Sequence, residues 1–308
     1  MKLNLFRSMN PEASQDAIIK EGKIRFTVLT SRIIRIEHDK TSFFCDRPSQ
    51  VFWYRKQPVP KFDCIKLADR IEIITEHLHL YYFKGEEELS PKNLFIELKE
   101  TGTIWHYGDK DSENLKGTAR TLDNADGPIP LENGLMSRNG WSIIDDSSSL
   151  IFDENGWIKK RDHEELDIYF FGYGTHFKQC LQDFCKIAGM IPMIPRWALG
   201  NWWSRYWEYT QEELMELMNK FEEKQTPLSV CVIDMDWHVV NIEEYIKKRD
   251  MKHLETLKFH DGWTGFTWNE DLFPDYKALL KFLHEEKGLR VALNIHPASG
   301  IFPHEKQY

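Results

Sequence analysis

Two aspartates one residue apart, Asp234 and Asp236, close the apolar run from Leu228 to Ile233 and are followed at once by Trp237 and His238. Carboxylates accept hydrogen bonds from hydroxyl groups and stabilise positive charge on an oxocarbenium-like transition state. If the chain is still extended there, the spacing puts both on one side, because side chains along a strand repeat every second residue. Two other chemistries use the same residues: an aspartate cap at a strand-to-helix turn, and a metal-binding D-x-D of the glycosyltransferase kind. The second would need a phosphate-binding partner, and none is evident. Trp203 and Arg205 follow an earlier apolar segment, and His296 follows a later one.

These residues need elements that end at one place. The segment ALGNWWSRY reads as a strand, and Thr210-Gln-Glu-Glu213 forms a capping box that opens a helix with Leu214, Leu217, Met218 and Phe221 on one face. Leu228 to Ile233 reads as a parallel strand buried on both sides. A second helix carries Tyr276, Leu279, Leu280 and Leu283 and stops at Gly288, and Arg290 to Ile295 supplies a third strand. The β-α-β-α-β order suits a doubly wound sheet or a (β/α)8 barrel, and in both the functional residues sit at the carboxyl ends of the strands. Gly172 and Gly174 form a lone G-x-G without a third glycine, too weak a signal for a nucleotide. The barrel is therefore preferred. The charged stretch from Glu243 to His260 reads as a solvated insertion.

Upstream the grammar is different. KIRFTVL, RIIRIEH, RIEIITEHLHLYYF and NLFIEL are short β-rich runs, with Leu78, Leu80 and Tyr82 alternating against His77, His79 and Tyr81. Period two over several such segments predicts an antiparallel β-sandwich, with both histidines on its surface. Gly102 to Asn155 reads as long loops. Phe177, Leu181, Phe184 and Ala188, with Cys180 beside them, predict one face of a helix that ends at Gly189. Pro192 and Pro195 then mark a linker. The expected division is 1–190, the sandwich with its connecting helix, and 191–308, the start of the barrel.

The bulk composition limits the function. The 308 residues carry 40 Lys and Arg against 49 Asp and Glu, a net charge of −9, which disfavours nucleic acid and anionic membranes as partners. The 11 Trp, 11 Tyr and 19 Phe suit stacking on the apolar faces of sugar rings, although most must fill cores. Cys45, Cys64, Cys180, Cys185 and Cys231 have no C-x-x-C spacing, which argues against a disulfide framework or structural zinc and for a cytoplasmic home. Neither a signal-peptide-like start nor a membrane-spanning apolar run is evident.

Taken together, PRWALGNWWSRYWEYTQEEL, PLSVCVIDMDWH and GWTGFTWNEDLFPDYKALLKFLHEEKGLRVALNIHP resemble the first three barrel strands of glycoside hydrolase family 31, the α-glucosidase and α-xylosidase family. GTARTLDNADGPIPLENGLMSRNGWSIIDDSS is similar to the loop that the family's sandwich extends toward its active site. The resemblance implies that Asp234 hydrogen-bonds the sugar in the −1 subsite and that Asp236 and Trp237 continue that wall. It also implies that His296 and Trp268 lie nearby, and that Asp126, or else Asp123, is lent by the sandwich loop; either could equally be an Asx-turn residue. The implied reaction is retaining, exo-acting hydrolysis of α-linked glucosides or xylosides, without cofactor or metal. Its substrate is a small oligosaccharide or α-glycoside, and oligomeric state is left open. The family's nucleophile and acid/base follow later strands, so the 308 residues are expected to be a truncated portion without either catalytic aspartate, inactive alone. The alternative is a noncatalytic carbohydrate-binding module.

Overall fold

A computed structural model describes residues 9–117, 119, 121, 124–255, 262 and 264–305. Asp123, Trp263 and His260 lie outside these residues. Internal contacts divide the chain into two units, Met1–Ile191 and Pro192–Tyr308.

The first unit contains β1 (Ile18–Glu21), β2 (Ile24–Thr30), β3 (Ile33–His38), β4 (Phe62–Lys66), β5 (Arg70–Thr75), β6 (Leu78–Phe83), β7 (Leu94–Leu98), β8 (Thr103–His106), β9 (Trp141–Asp145), β10 (Ile151–Phe152), β11 (Ile158–Lys159), β12 (Leu166–Gly172) and helix α1 (Phe177–Ala188). One five-stranded sheet runs β1-β2-β3-β12-β9 and the other β4-β5-β6-β7-β8. Every pairing within them is antiparallel. Phe26, Val28, Ile34, Ile36, Ile168 and Phe170 of the first sheet meet Ile73, Leu80, Leu94 and Ile96 of the second in one core, so the two sheets form a sandwich. Along β6, Leu78, Leu80 and Tyr82 are buried while His79, Tyr81 and Phe83 are only partly so, as period two requires.

The other face of the first sheet departs from this simple pattern. Arg25, Arg35, Glu37 and Asp167 point away from the sandwich core, yet all four are buried. The segment 43–57 crosses this face: Phe52 stacks on Tyr169 with ring centroids 3.6 Å apart, and Arg55 Nε donates to the Tyr169 hydroxyl at 2.8 Å. Beneath it Arg35 forks onto Asp167 with two bonds of 2.7 Å, and Arg25 forks likewise onto Glu37. Pairing in this geometry is what allows such charges to be taken from water.

Two readings of this unit need correction. The stretch 102–155 is not loop throughout, since it holds β8, β9 and β10. In α1 the inward face is Cys180, Asp183 and Ile187, with Leu181 41% exposed. Asp183 can turn inward because the Tyr173 hydroxyl donates to it at 2.7 Å and Lys186 pairs with it at 2.7 Å.

The second unit contains β13 (Trp202–Trp203), α2 (Gln211–Glu223), β14 (Val230–Ile233), α3 (Ile242–Lys248), α4 (Tyr276–Lys281) and β15 (Arg290–Leu293). The three strands form one parallel sheet, β13-β14-β15. No closed barrel is present among the described residues. The first strand is shorter than expected, because Arg196–Leu199 winds into a 3-10 turn. Gly200 is obligatory there, as a Cβ would meet Ser229 Oγ at 1.9 Å. The capping box forms as read: Glu213 N donates to Thr210 Oγ1 at 3.2 Å and Thr210 N to Glu213 Oε2 at 2.9 Å. The supposed solvated insertion contains α3, whose Ile242 and Ile246 pack with Val239 and Leu254. After α4 the chain continues as a π-helical turn over Phe282–Glu286 that buries Leu283.

All five cysteines are free thiols, with Cys45, Cys180 and Cys231 buried, Cys185 half-buried and Cys64 exposed.

Candidate functional site

The parallel register aligns Ile233 with Leu293, so the next residues, Asp234 and Asn294, sit side by side at the carboxyl edge of the sheet. Asn294 Nδ2 donates to Asp234 Oδ1, and the Asn294 amide donates to the Ile233 carbonyl at 3.1 Å. Asp234 Oδ1 also accepts from the Met235 amide at 3.0 Å. Asp234 therefore caps the 3-10 turn Met235–Trp237. This corrects the extended D-x-D: Asp236 lies inside the turn, where strand alternation no longer orients it. The capping reading of Asp234 and the site reading coexist, because a cap uses one oxygen and leaves the other.

Asp236 is half-buried. Burial, with the neighbouring charges of Glu208 and Asp234, pushes its carboxyl above the ordinary aspartate range. It lines a polar cleft of about 510 Å³ shared with Glu208, Asn241, Tyr245, Lys248 and Asn269.

Trp237 is 4% exposed, and its indole Nε1 donates to the Asn294 carbonyl at 2.9 Å. It is a core residue that holds the Asn294 backbone, with little ring face left for a ligand. Trp268 meets Trp237 edge-on at 5.1 Å and stacks flat on Tyr276 at 4.6 Å. The ring of His296 lies 6.4 Å from that of His238. His238 is fully buried, with Nδ1 3.1 Å from the Val239 carbonyl, and burial pushes its pKa down. Gly265 is required beside it, since a Cβ there would stand 2.8 Å from the ring. The segment on either side of Gly265 is pinned by buried Glu305, which accepts from Thr264 Oγ1 at 2.8 Å and from Thr267 Oγ1.

The sheet edge thus gathers Asp234, Asn294, Trp237 and Trp268, with His296 next to His238. Trp203 is half-buried and set edge-on to Phe221 at 5.1 Å. Arg205 is exposed and holds its guanidinium 4.4 Å from the Trp207 ring. Asp126 stands in an exposed irregular loop of the first unit. The sequence reading missed Asn294, Tyr276 and Glu208. Asn294 was detectable as the first polar residue after the apolar run of β15, the position that Asp234 holds after β14.

Among the described residues, no group of three or more His, Cys, Asp or Glu could hold a metal ion. No helix among them is long and apolar enough to cross a membrane.

A family model described as Glycosyl hydrolases family 31 TIM-barrel domain matches residues 191–308. The chain is 27% identical over 241 residues to an alpha-xylosidase of Saccharolobus solfataricus, covering 70% of this chain and 29% of that protein. It is 31% identical over 132 residues to alpha-glucosidase 2 of Bacillus thermoamyloliquefaciens, covering 43% and 14%. Among solved structures, a family 31 alpha-xylosidase from a soil metagenome, complexed with xylose, superposes with a TM-score of 0.59 at 15% identity. That match covers 90% of this chain and 45% of the other. The chain thus spans less than a third of the curated relatives' length and under half of that structure.

Proposed function

We propose that the chain, whose residues 191–308 match the family 31 barrel model, belongs to glycoside hydrolase family 31 and that the protein is a retaining, exo-acting α-glycosidase of the α-glucosidase or α-xylosidase type. Residues 1–190 are its sandwich domain and 191–308 open its (β/α)8 catalytic barrel. The observation that carries this reading is the Asp234–Asn294 pair on adjacent parallel strands, at the end where barrel enzymes build their sites. Asp234 accepts sugar hydroxyls in the −1 subsite while Asn294 fixes its rotamer. Trp268 and His296 flank the sugar, Trp237 supports them from the core, and Asp236 faces the polar cleft alongside. Trp203, Arg205 and Asp126 complete the proposed substrate-binding set.

A double displacement needs two carboxyl groups about 5–5.5 Å apart, one as nucleophile and one as acid/base. Asp234 is committed as a cap and to Asn294, and Asp236 sits in a turn, so neither is assigned to bond cleavage. The reacting pair is proposed to lie outside these 308 residues, which alone should not hydrolyse glycosides. Carboxylate chemistry of this kind needs no cofactor. Five unpaired thiols favour a reducing, cytoplasmic setting.

The test is sugar release from aryl α-glucosides and α-xylosides by the protein expressed from its whole reading frame. Asp234→Asn should lower kcat/KM by roughly 10- to 100-fold, the value of a charge-assisted hydrogen bond to substrate. Failure to hydrolyse either substrate class sinks the proposal, and activity that requires manganese would point to a transferase instead.

A further inference from the structure

The first unit has a cavity of its own, about 380 Å³, that the strand-end chemistry does not use. Its walls come from the segment crossing the outer face of the first sheet and from the hairpin of β10 and β11. Phe43 and Phe152 line it with Arg47, His163 and six carboxyl groups, among them those of Asp46, Asp153, Asp162 and Glu165.

Several of these carboxylates already have cationic partners. Arg25 holds Asp46 at 2.7 Å, Lys159 holds Asp162 at 2.8 Å, and Arg161 holds Glu165 at 2.5 Å. Arg47 pairs with Glu154 at 3.3 Å, so four of the six carboxylates have a cationic partner, although Arg25 is shared with Glu37 and Arg161 with Asp146 and Asp167; the charge is reduced, and a neutral molecule is not repelled. What remains is hydrogen-bond acceptance, since a paired carboxylate keeps spare lone pairs. Glu165 makes the point most clearly. It is 7% exposed, its Oε1 takes the Arg161 bond, and its Oε2 has no partner among the described residues. A buried acceptor in that state favours a donor brought by a ligand. Phe43 supplies the apolar surface: it is 48% exposed and is braced by the His163 ring at 4.9 Å. Trp157, at the tip of the same hairpin, is 75% exposed, and its amide is tied to Asp153 at 2.8 Å.

An apolar ring face in the same cavity as partly charge-compensated acceptors suits a molecule with apolar C–H faces and many O–H donors. We propose that this cavity is an accessory carbohydrate site taking one neutral mono- or disaccharide. The acceptor chemistry stands by itself, whereas the choice of a saccharide among polyols rests on the proposed glycosidase reading.

The experiment is calorimetric and saturation-transfer titration of the whole chain with maltose and with isoprimeverose. The wild type is compared with Phe43→Ala, Glu165→Gln and Asp234→Asn, and spermidine serves as the cationic probe. At least one sugar should bind, and Phe43→Ala and Glu165→Gln should each weaken it about tenfold or more. Asp234→Asn should leave that binding event intact. Phe43 is at the surface, so its variant should keep the wild-type melting temperature and remains informative even if Glu165→Gln is less stable. The proposal is overturned if neither sugar binds, if Phe43→Ala binds as the wild type does, if spermidine displaces the sugar, or if only Asp234→Asn abolishes binding. The last outcome would leave the glycosidase reading standing, and loss of hydrolysis in the full protein with this binding retained would do the reverse.

Discussion

Replacing Arg35 with Met should unfold the first unit well before the wild type. Arg35 is 1% exposed and makes two bonds of 2.7 Å to Asp167, one of 3.0 Å to the Cys45 carbonyl and an ion pair of 3.0 Å with Glu37. Without it Glu37 keeps Arg25, whereas among the described residues Asp167 keeps one ion pair, with Arg161 at 3.0 Å. Removing one partner of a buried pair costs about 3–5 kcal/mol. For a unit of this size that corresponds to a melting temperature lower by roughly 6–20 °C. The deficit should also depend on pH in a definite direction. Burial pushes the Asp167 carboxyl up, and the charge and hydrogen bonds of Arg35, with the charges of Arg55 and Arg161, together hold it below the ordinary range. A carboxyl depressed in the folded state contributes stability above its unfolded pKa of about 3.9, and that contribution fades as pH falls below it. In Arg35→Met the depression is gone, so the gap between variant and wild type should hold from pH 7 to about pH 4 and narrow below that, toward the folded value of about 2. Adding Asp167→Leu should recover most of the loss, because a neutral pair avoids the uncompensated charge. Calorimetry of the three proteins decides the matter. A single variant within about 2 °C of the wild type, or a gap that widens in acid, refutes the reasoning.

Other perturbations address the second unit. Thr210→Ala removes the capping box and should cost about 1 kcal/mol, read as a lower urea midpoint with an unchanged slope. Gly265→Ala would drive a methyl into the His238 ring and should cost about 1–3 kcal/mol, detectable by thermal melting and by a shifted His238 NMR resonance. Burial holds the pKa of both His238 and His304 down, so the unfolded chain binds their protons first. Their contribution is complete above about pH 6.5 and is lost as pH falls below it; denaturant midpoints at pH 7.5 and 5.5 should differ in that direction. Asn294→Ala in the full-length protein should lower kcat/KM in the same sense as Asp234→Asn, by a smaller factor, because it frees the carboxylate instead of removing it.

The elements that were legible from sequence are those where one local rule dominates. Leu78, Leu80 and Tyr82 alternate because one face of β6 is dry, and Thr210 with Glu213 caps α2 with no help from elsewhere. The parallel run ending at Ile233 is apolar because both of its faces are covered. Reading failed where a distant segment changes the environment of a residue. Arg35 and Glu37 have the types of a wetted strand face, and only the crossing of residues 43–57 buries them. Four charged residues in α3 hide the Ile242 and Ile246 stripe, which is a single i, i+4 pair. Asp183 displaced Leu181 from the inner face of α1 because Tyr173 could satisfy it. At the site, sequence spacing located Asp234 but not its neighbour on β15, since register between strands is set by packing and not by the distance between them along the chain.

The distribution of the thiols gives this protein two internal clocks. Burial pushes Cys180 in the first unit and Cys231 in the second each up to about 12, and the nucleophilic thiolate is scarce at neutral pH. An alkylating reagent can therefore reach them only when the surrounding unit opens, whereas Cys64, exposed on β4, is accessible without opening. Mass-resolved labelling rates at Cys180 and Cys231, scaled to Cys64, would follow the opening of each unit separately in a single sample. Saccharide added to that sample should slow the clock of whichever unit holds it, which locates the occupied site without a mutation.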